Sequence, residues 1–161
     1  MAESGADLLM LEMMIDIEQM MVTYEAAKSS GLPIWIGLTC DVDDKGEICL
    51  RDGDPLEHAL ASLSDEKPDV INIMHTDVSY VIPALDYLKS LWNGHVGVYA
   101  HSGRTINGKW TFNDVLCPAE YQQHAKSWID KGVTFIGGCC GIGVEHIALL
   151  NKTLIKNPVQ K

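Results

Sequence analysis

The sequence predicts an α/β fold: a single domain over residues 1–161, made of about five parallel β-α units. Three observations point there. Short apolar runs alternate with longer stretches whose apolar residues recur at helical spacing. Successive apolar runs are joined through those helical stretches rather than by tight turns, so neighbouring strands lie parallel with right-handed crossovers. The chain is 47% hydrophobic, enough to build a core and too much for a disordered chain.

Taken in order, Ala6 to Glu12 reads as a buried strand that ends on the Glu12 carboxylate. From Ile15 to Ser29 the apolar positions Ile17, Met20, Met21, Tyr24 and Ala27 share a helix face; Gly31 suits the C-cap and Pro33 prevents continuation. Ile34 to Thr39 is the second strand. The polar stretch from Asp41 to Asp54 has room for a short hairpin around Lys45-Gly46, because Ile48-Cys49-Leu50 is briefly apolar. Leu56 to Leu63 is a short helix with Pro55 at its start. Val70 to Met74 is the third strand and runs into His75-Thr76-Asp77. A helix over Val81 to Trp92 follows, then a fourth strand, His95 to Ala100, ending in His101-Ser102-Gly103. Arg104 to Pro118 is a long loop holding Trp110 and Phe112. Ala119 to Lys131 is helical, Thr134 to Gly137 is the fifth strand, the last helix ends near Leu154, and Lys156 to Lys161 is a polar tail.

Charge and composition exclude several classes of function. The net charge of −10 argues against a nucleic-acid partner, which calls for clustered Lys and Arg. No apolar run reaches 18 residues, so no membrane span is expected. Met1-Ala2-Glu3-Ser4 lacks a basic stretch, so no signal peptide is expected. Five cysteines, two of them adjacent, fit a reducing cytoplasm better than a disulfide framework.

Strand ends carry the chemistry. In a parallel sheet, Glu12, Thr39 to Asp41, Met74 to Asp77, Tyr99 to Ser102 and Gly138 to Gly141 gather on one face, where α/β folds place their sites. The stretch from Phe135 to Gly143 sets two adjacent cysteines among glycines directly after a strand. Cys139 and Cys140 have two readings: thiolates gripping a soft metal, or small apolar filler. The glycines favour the metal, since they let the backbone approach a ligand closely.

Gly137-Gly138-Cys139-Cys140-Gly141 resembles the GGCCG signature of the homocysteine S-methyltransferase family, which includes betaine– and S-methylmethionine–homocysteine methyltransferases. The likeness runs over nearly the whole chain but reaches only the C-terminal part of the family's (β/α)₈ barrel domain. It therefore implies a partial TIM-type barrel, and with it either a homo-oligomer or a partner chain that supplies the N-terminal half-barrel. It implies Zn²⁺ as cofactor, with Cys139 and Cys140 as two of three ligands. The family's third cysteine, in an Asn-Cys motif, is absent from Ile71-Asn72-Ile73-Met74-His75. Counting back from the next helix puts that position near His75, and imidazole is a sound zinc ligand. Cys40 is the alternative recruit, and Met74 is a poor one.

The resemblance further implies methyl transfer from an activated sulfonium, ammonium or folate donor to the homocysteine thiol, giving methionine. Glu12 matches a strand-end glutamate that binds the substrate's amino group. Tyr99-Ala100-His101-Ser102-Gly103 is similar to the family's Tyr-Pro-Asn-Ser-Gly segment, so Tyr99, His101 and Ser102 are expected to line the substrate pocket. Plainer readings stand beside these: Glu12 as a solvated carboxylate or helix-terminus partner, and His101 and Ser102 as loop polarity. The competing function is a non-catalytic zinc- or thiol-binding half-barrel that acts only with a partner. A redox role for the vicinal cysteines is weak because no CxxC is present. Glu145-His146 and His124 read as surface polarity, and Asp41, Asp43 and Asp44 as a solvated loop rather than a Ca²⁺ site.

Overall fold

Alternate residues in the apolar runs point to opposite faces of a strand. The computed structural model, which describes residues 2–106, 109–113 and 115–154, shows how this chain uses both faces. After a short turn of helix at Ala2–Ser4 the elements are β1 (Leu9–Met14), α1 (Ile17–Lys28), β2 (Ile34–Val42), β3 (Ile48–Leu50) and α2 (Leu56–Ser62). Then come β4 (Val70–Asp77), α3 (Val78–Leu91), β5 (His95–His101), β6 (Arg104–Ile106), β7 (Lys109–Thr111), α4 (Pro118–Asp130), β8 (Phe135–Ile136) and α5 (Val144–Leu154). The main sheet has the order β1-β2-β4-β5-β8, with every neighbouring pair on that path parallel. β3 pairs antiparallel with the end of β2, which is the hairpin expected around Lys45-Gly46. β6 and β7 form a separate hairpin within the long loop, where no strand was expected.

The helices start where side chains can take up their free N–H groups. Asp16 accepts from the Gln19 amide at 2.7 Å and Asp54 from the Ile17 amide at 2.9 Å, fixing the start of α1. Asp77 accepts from the Ser79 amide at 2.9 Å at the start of α3. Glu120 reaches back to the Cys117 amide at 2.8 Å at the start of α4.

One sheet face carries Ile34, Ile36, Leu38, Ile71, Ile73, Val96, Val98 and Ala100, all buried against the helices in a single core with Met20, Leu60, Leu85, Tyr121 and Trp128. The other face is open. Met10, Glu12, Trp35, Asn72, Tyr99 and Phe135 line a cavity of about 760 Å³ there, and Met10 and Phe135 are 39% and 37% exposed. Trp35 on β2 and Phe135 on β8 bring their ring centroids to 4.4 Å across the two intervening strands, so this face is concave. Gly97 makes room for that curvature. A Cβ at this position would sit 2.0 Å from Asn72 Oδ1 and 3.1 Å from Phe135 Cβ.

Several boundaries differ from the sequence expectation: β2 runs on to Val42, β4 to Asp77, and α3 starts at Val78. β1 spans Leu9–Met14 rather than ending at Glu12, so Glu12 lies inside the strand and points onto the concave face. The apolar residues continue through Met13 and Met14, and Met13 adopts a left-handed φ of 60°, shifting the register so that Met14 pairs with Leu38. Among the described residues, no helix is long and apolar enough to cross a membrane. The expected polar tail lies outside the described residues.

Candidate metal centre

β4 does not run straight to its end. Met74 pairs with Tyr99 and Asp77 with His101, so β4 carries one more residue than β5 between these pairs. The extra residue is accommodated at His75, whose φ is 44°. That left-handed backbone is costly for a side chain with a Cβ and is held by its surroundings. The Thr76 hydroxyl secures it, donating to the Met74 carbonyl and accepting from the Cys40 amide, both at 2.9 Å. The bulge turns the buried His75 ring toward the loop after β8.

That loop continues the hydrogen-bond pattern of the last strand. The Gly137 amide donates to the Val98 carbonyl at 2.9 Å, and the Cys139 amide donates to the Ala100 carbonyl at 3.0 Å. The Ser102 amide returns a bond to the Cys140 carbonyl at 3.0 Å, and the fully buried Tyr121 donates its hydroxyl to the Gly137 carbonyl at 2.9 Å. Gly141 has φ 84°, and a Cβ there would meet Ser102 Oγ and Val115 Cγ1 at 2.9 Å, so the turn calls for glycine on both counts.

The outcome is a three-residue cluster. His75 Nδ1 lies 3.3 Å from Cys139 Sγ and 3.9 Å from Cys140 Sγ, and the two sulfurs are 3.8 Å apart. Tetrahedral zinc, with Zn–S near 2.3 Å and Zn–N near 2.0–2.1 Å, spaces its ligand atoms roughly 3.5–3.8 Å apart, so the donor set fits the metal. Among the described residues no other group of His, Cys, Asp and Glu converges in this way. Burial pushes the Cys139 thiol up to about 11, reinforced by the neighbouring Cys140 and Glu12 charges. Burial also lowers the His75 pKa, helped by His101 and Arg51. Burial thus disfavours the imidazolium and the bare thiolate alike, and a bound cation would offset the second effect.

The other predicted residues fall on either side of this cluster. Glu12 and Tyr99 line the 760 Å³ cavity together with Gly138. Among the described residues Tyr99 Oη is buried with no hydrogen-bond partner, and burial, with Glu12 and Cys139 nearby, raises its pKa. The His101 ring lies 4.8 Å from that of His75, and its Nδ1 is likewise buried and unpartnered. Ser102 is buried and takes a packing position: its hydroxyl accepts from the Leu116 amide at 3.3 Å, and its backbone holds Cys140. Cys40 stays in the core, where burial pushes its thiol up to about 12. The Met74 sulfur accepts from the Met13 amide and the Thr39 hydroxyl, both at 3.3 Å, which makes it packing.

His146 departs from its expected surface role. It is buried, with Nδ1 accepting from the Gly143 amide at 3.0 Å and Nε2 2.8 Å from the Leu116 carbonyl. Trp110 packs edge-on to His75 and His101 at 5.2 and 5.1 Å. Sequence reasoning missed Tyr121 and Arg51. A tyrosine on a helix face reads as plain core, and an arginine in an acidic loop reads as solvated, so neither carried a signal.

Comparison with known proteins bears on this geometry. The family model described as homocysteine S-methyltransferase matches residues 1–154. Homocysteine S-methyltransferase YbgG of Bacillus subtilis is 26% identical over 148 residues, covering 90% of this chain and 46% of that protein. Homocysteine S-methyltransferase 3 of Arabidopsis thaliana is 25% identical, covering 98% of this chain and 46% of its own length. The crystal structure of the oxidized form of the homocysteine methyltransferase MmuM from Escherichia coli superimposes with a TM-score of 0.73 at 24% identity, over 93% of this chain and 46% of that one. The chain thus spans about half the length of the relatives it matches.

Proposed function

Because the chain belongs to the homocysteine S-methyltransferase family, we propose that it forms the metal-bearing part of an enzyme that moves a methyl group from an activated donor to the thiol of homocysteine. The observation that carries this reading is the gathering of His75, Cys139 and Cys140 within 4.8 Å of one another at the ends of β4 and β8. These three residues would hold Zn²⁺ in a Cys₂His set. A bound zinc ion supplies Lewis acidity, lowering the pKa of an incoming thiol so that it is a nucleophile at neutral pH.

The chain's own groups do the rest. Glu12 presents its carboxylate on the open face beside Gly138 and takes the substrate ammonium. The unpartnered Tyr99 hydroxyl offers a hydrogen bond on the same side. His101 and Trp110 pack around His75 and help keep its ring from water. In the transfer, a C–S or C–N bond of the cationic donor breaks, and its electron pair returns to the leaving sulfur or nitrogen. A C–S bond forms to the thiolate, so charge balances with no further reactant. Free thiols in this arrangement suit the reducing cytoplasm.

A second reading, a metal-binding half that acts only with a partner chain, is favoured by one observation: the open concave face with exposed Met10 and Phe135. Metal analysis and turnover separate the two. The purified, reduced chain is expected to hold about one zinc per molecule, with loss in both Cys139→Ser and His75→Ala. Turnover with homocysteine and a donor supports the enzyme; zinc without turnover supports the half-barrel. Zinc retained in both variants would remove the proposed ligand set.

A further inference from the structure

The turn that carries Cys139 and Cys140 is tied to a side chain outside the ligand set. His146, on α5, is only 7% exposed. Its two partners fix where its proton sits. The Gly143 amide, 3.0 Å from Nδ1, can only donate, so Nδ1 is bare. The Leu116 carbonyl, 2.8 Å from Nε2, can only accept, so Nε2 carries the hydrogen. The surroundings therefore select one neutral tautomer. An imidazolium would set a ring N–H against the Gly143 N–H.

These two bonds complete a closed circuit. The Ser102 amide donates to the Cys140 carbonyl at 3.0 Å. The Leu116 amide donates to the Ser102 hydroxyl at 3.3 Å. His146 Nε2–H donates to the Leu116 carbonyl, and the Gly143 amide donates to His146 Nδ1. The circuit thus leaves the cysteine turn at Cys140, passes the end of β5 and the segment before α4, and returns at Gly143. The bonds from the Cys139 amide to Ala100 and from the Ser102 amide to Cys140 hold the near end of the turn to β5. His146 holds the far end. The Tyr121 ring braces the imidazole edge-on from α4 at 5.9 Å.

We infer that His146 is a positioning residue of the metal centre: as the Nε2–H tautomer it clamps the far end of the cysteine turn, so that Cys139 and Cys140 already face His75 in the metal-free chain. The inference rests on the Cys₂His reading and goes beyond it, since His146 takes no part in ligation. Its effect on the metal is through order. Two thiols held in place by folding lose little freedom on binding, and affinity is higher for it.

The test compares the full chain with His146→Ala, His146→Asn and His146→Gln. Histidine ¹⁵N spectra and amide hydrogen exchange are recorded without metal, and zinc affinity is then measured. The wild-type spectrum is expected to show His146 as the neutral Nε2–H tautomer. In His146→Ala the Ser102 and Gly143 amides are expected to exchange about tenfold faster, while those of Ile36 and Ile73 in the sheet keep their rates. Zinc is expected to bind this variant roughly tenfold more weakly. The His146→Asn side chain can place its carbonyl oxygen where Nδ1 stands, and that of His146→Gln its amide nitrogen where Nε2 stands, so each keeps one of the two bonds. The first, which keeps the bond to Gly143, is expected to recover most of the affinity, and the second less.

Unchanged exchange at Ser102 and Gly143 in His146→Ala overturns the proposal. So does an Nδ1–H tautomer in the wild type, or an affinity loss that neither His146→Asn nor His146→Gln reduces. Should His146→Ala lose protection at Ile36 and Ile73 as well, the fold has failed, and the same exchange and affinity comparison between the other two variants decides. A wild-type chain that takes up no zinc sinks the Cys₂His reading, and the metal-free exchange rates still decide whether His146 orders the turn.

Discussion

At the scale of single residues, the cysteines and the histidine differ in what they must lose to bind a metal. Burial holds the Cys139 thiol near 11, so at neutral pH a metal has to displace its proton. The sign follows: protons compete with the metal below that pKa, so affinity rises with pH, roughly tenfold per unit for each proton displaced. Titrating zinc into the chain in buffers of different ionisation enthalpy, between about pH 6.5 and 8.5, is expected to show proton release and this rise. A flat affinity would mean that Cys139 is not a ligand. His75 contributes little to the pH dependence, because burial already favours its neutral form. The convergence of Cys139, Cys140 and His75 was legible in the sequence, since each stands at the end of an apolar run and the motif drew attention to the two cysteines. Ser102 was read through the resemblance as a pocket residue, and His146 as surface polarity. Their tasks, holding Cys140 and Leu116, depend on backbone groups brought close by folding.

At the scale of elements, the helix–strand alternation was readable because each main strand is a continuous apolar run buried on at least one face. The misses have physical causes. β1 runs two residues past Glu12 because a left-handed Met13 lets the chain bulge and continue pairing, which no periodicity announces. β6 and β7 are too short and polar to stand out in a loop. The cysteine loop depends on a neighbouring helix in a way the sequence does not show. Tyr121 of α4 donates to the Gly137 carbonyl at 2.9 Å, two residues before Cys139. Removing that hydroxyl leaves a carbonyl short of a partner and the loop less restrained. Tyr121→Phe is expected to lower stability by about 1 kcal/mol, read as a shift in urea midpoint, and to weaken zinc binding severalfold. A stability loss with unchanged zinc affinity would show that the loop is positioned by its own backbone bonds alone.

At the scale of the whole molecule, the sheet is covered by helices on one face and open on the other. Met10, Phe135 and Ile147 are 39%, 37% and 43% exposed around the large cavity. Among the described residues the outer strands of the main sheet, β1 and β8, each have a neighbour on one side only. Such an apolar surface with free strand edges favours association. Light scattering coupled to size exclusion is expected to show concentration-dependent self-association of the purified chain, reduced in a Met10→Lys/Phe135→Lys variant. A monomer at all concentrations would mean that the concave face is satisfied without a partner. The parallel order of the strands was readable from the crossover helices. The concavity was readable only through the resemblance to a barrel, because in the fold it goes with the contact between Trp35 and Phe135 over Gly97, residues far apart in sequence.

The distance in sequence between His75 and Cys139 has a consequence of its own. The two are 64 residues apart. An ion bridging them closes a loop that takes in α3, β5, the β6–β7 hairpin, α4 and β8. On the chain-entropy reckoning used for disulfides, a cross-link of that span removes about 4 kcal/mol of freedom from the unfolded chain. A metal held there would thus also be a removable clasp on the C-terminal half of the fold, and the last strand, only Phe135–Ile136 long, would have the most to lose on its release.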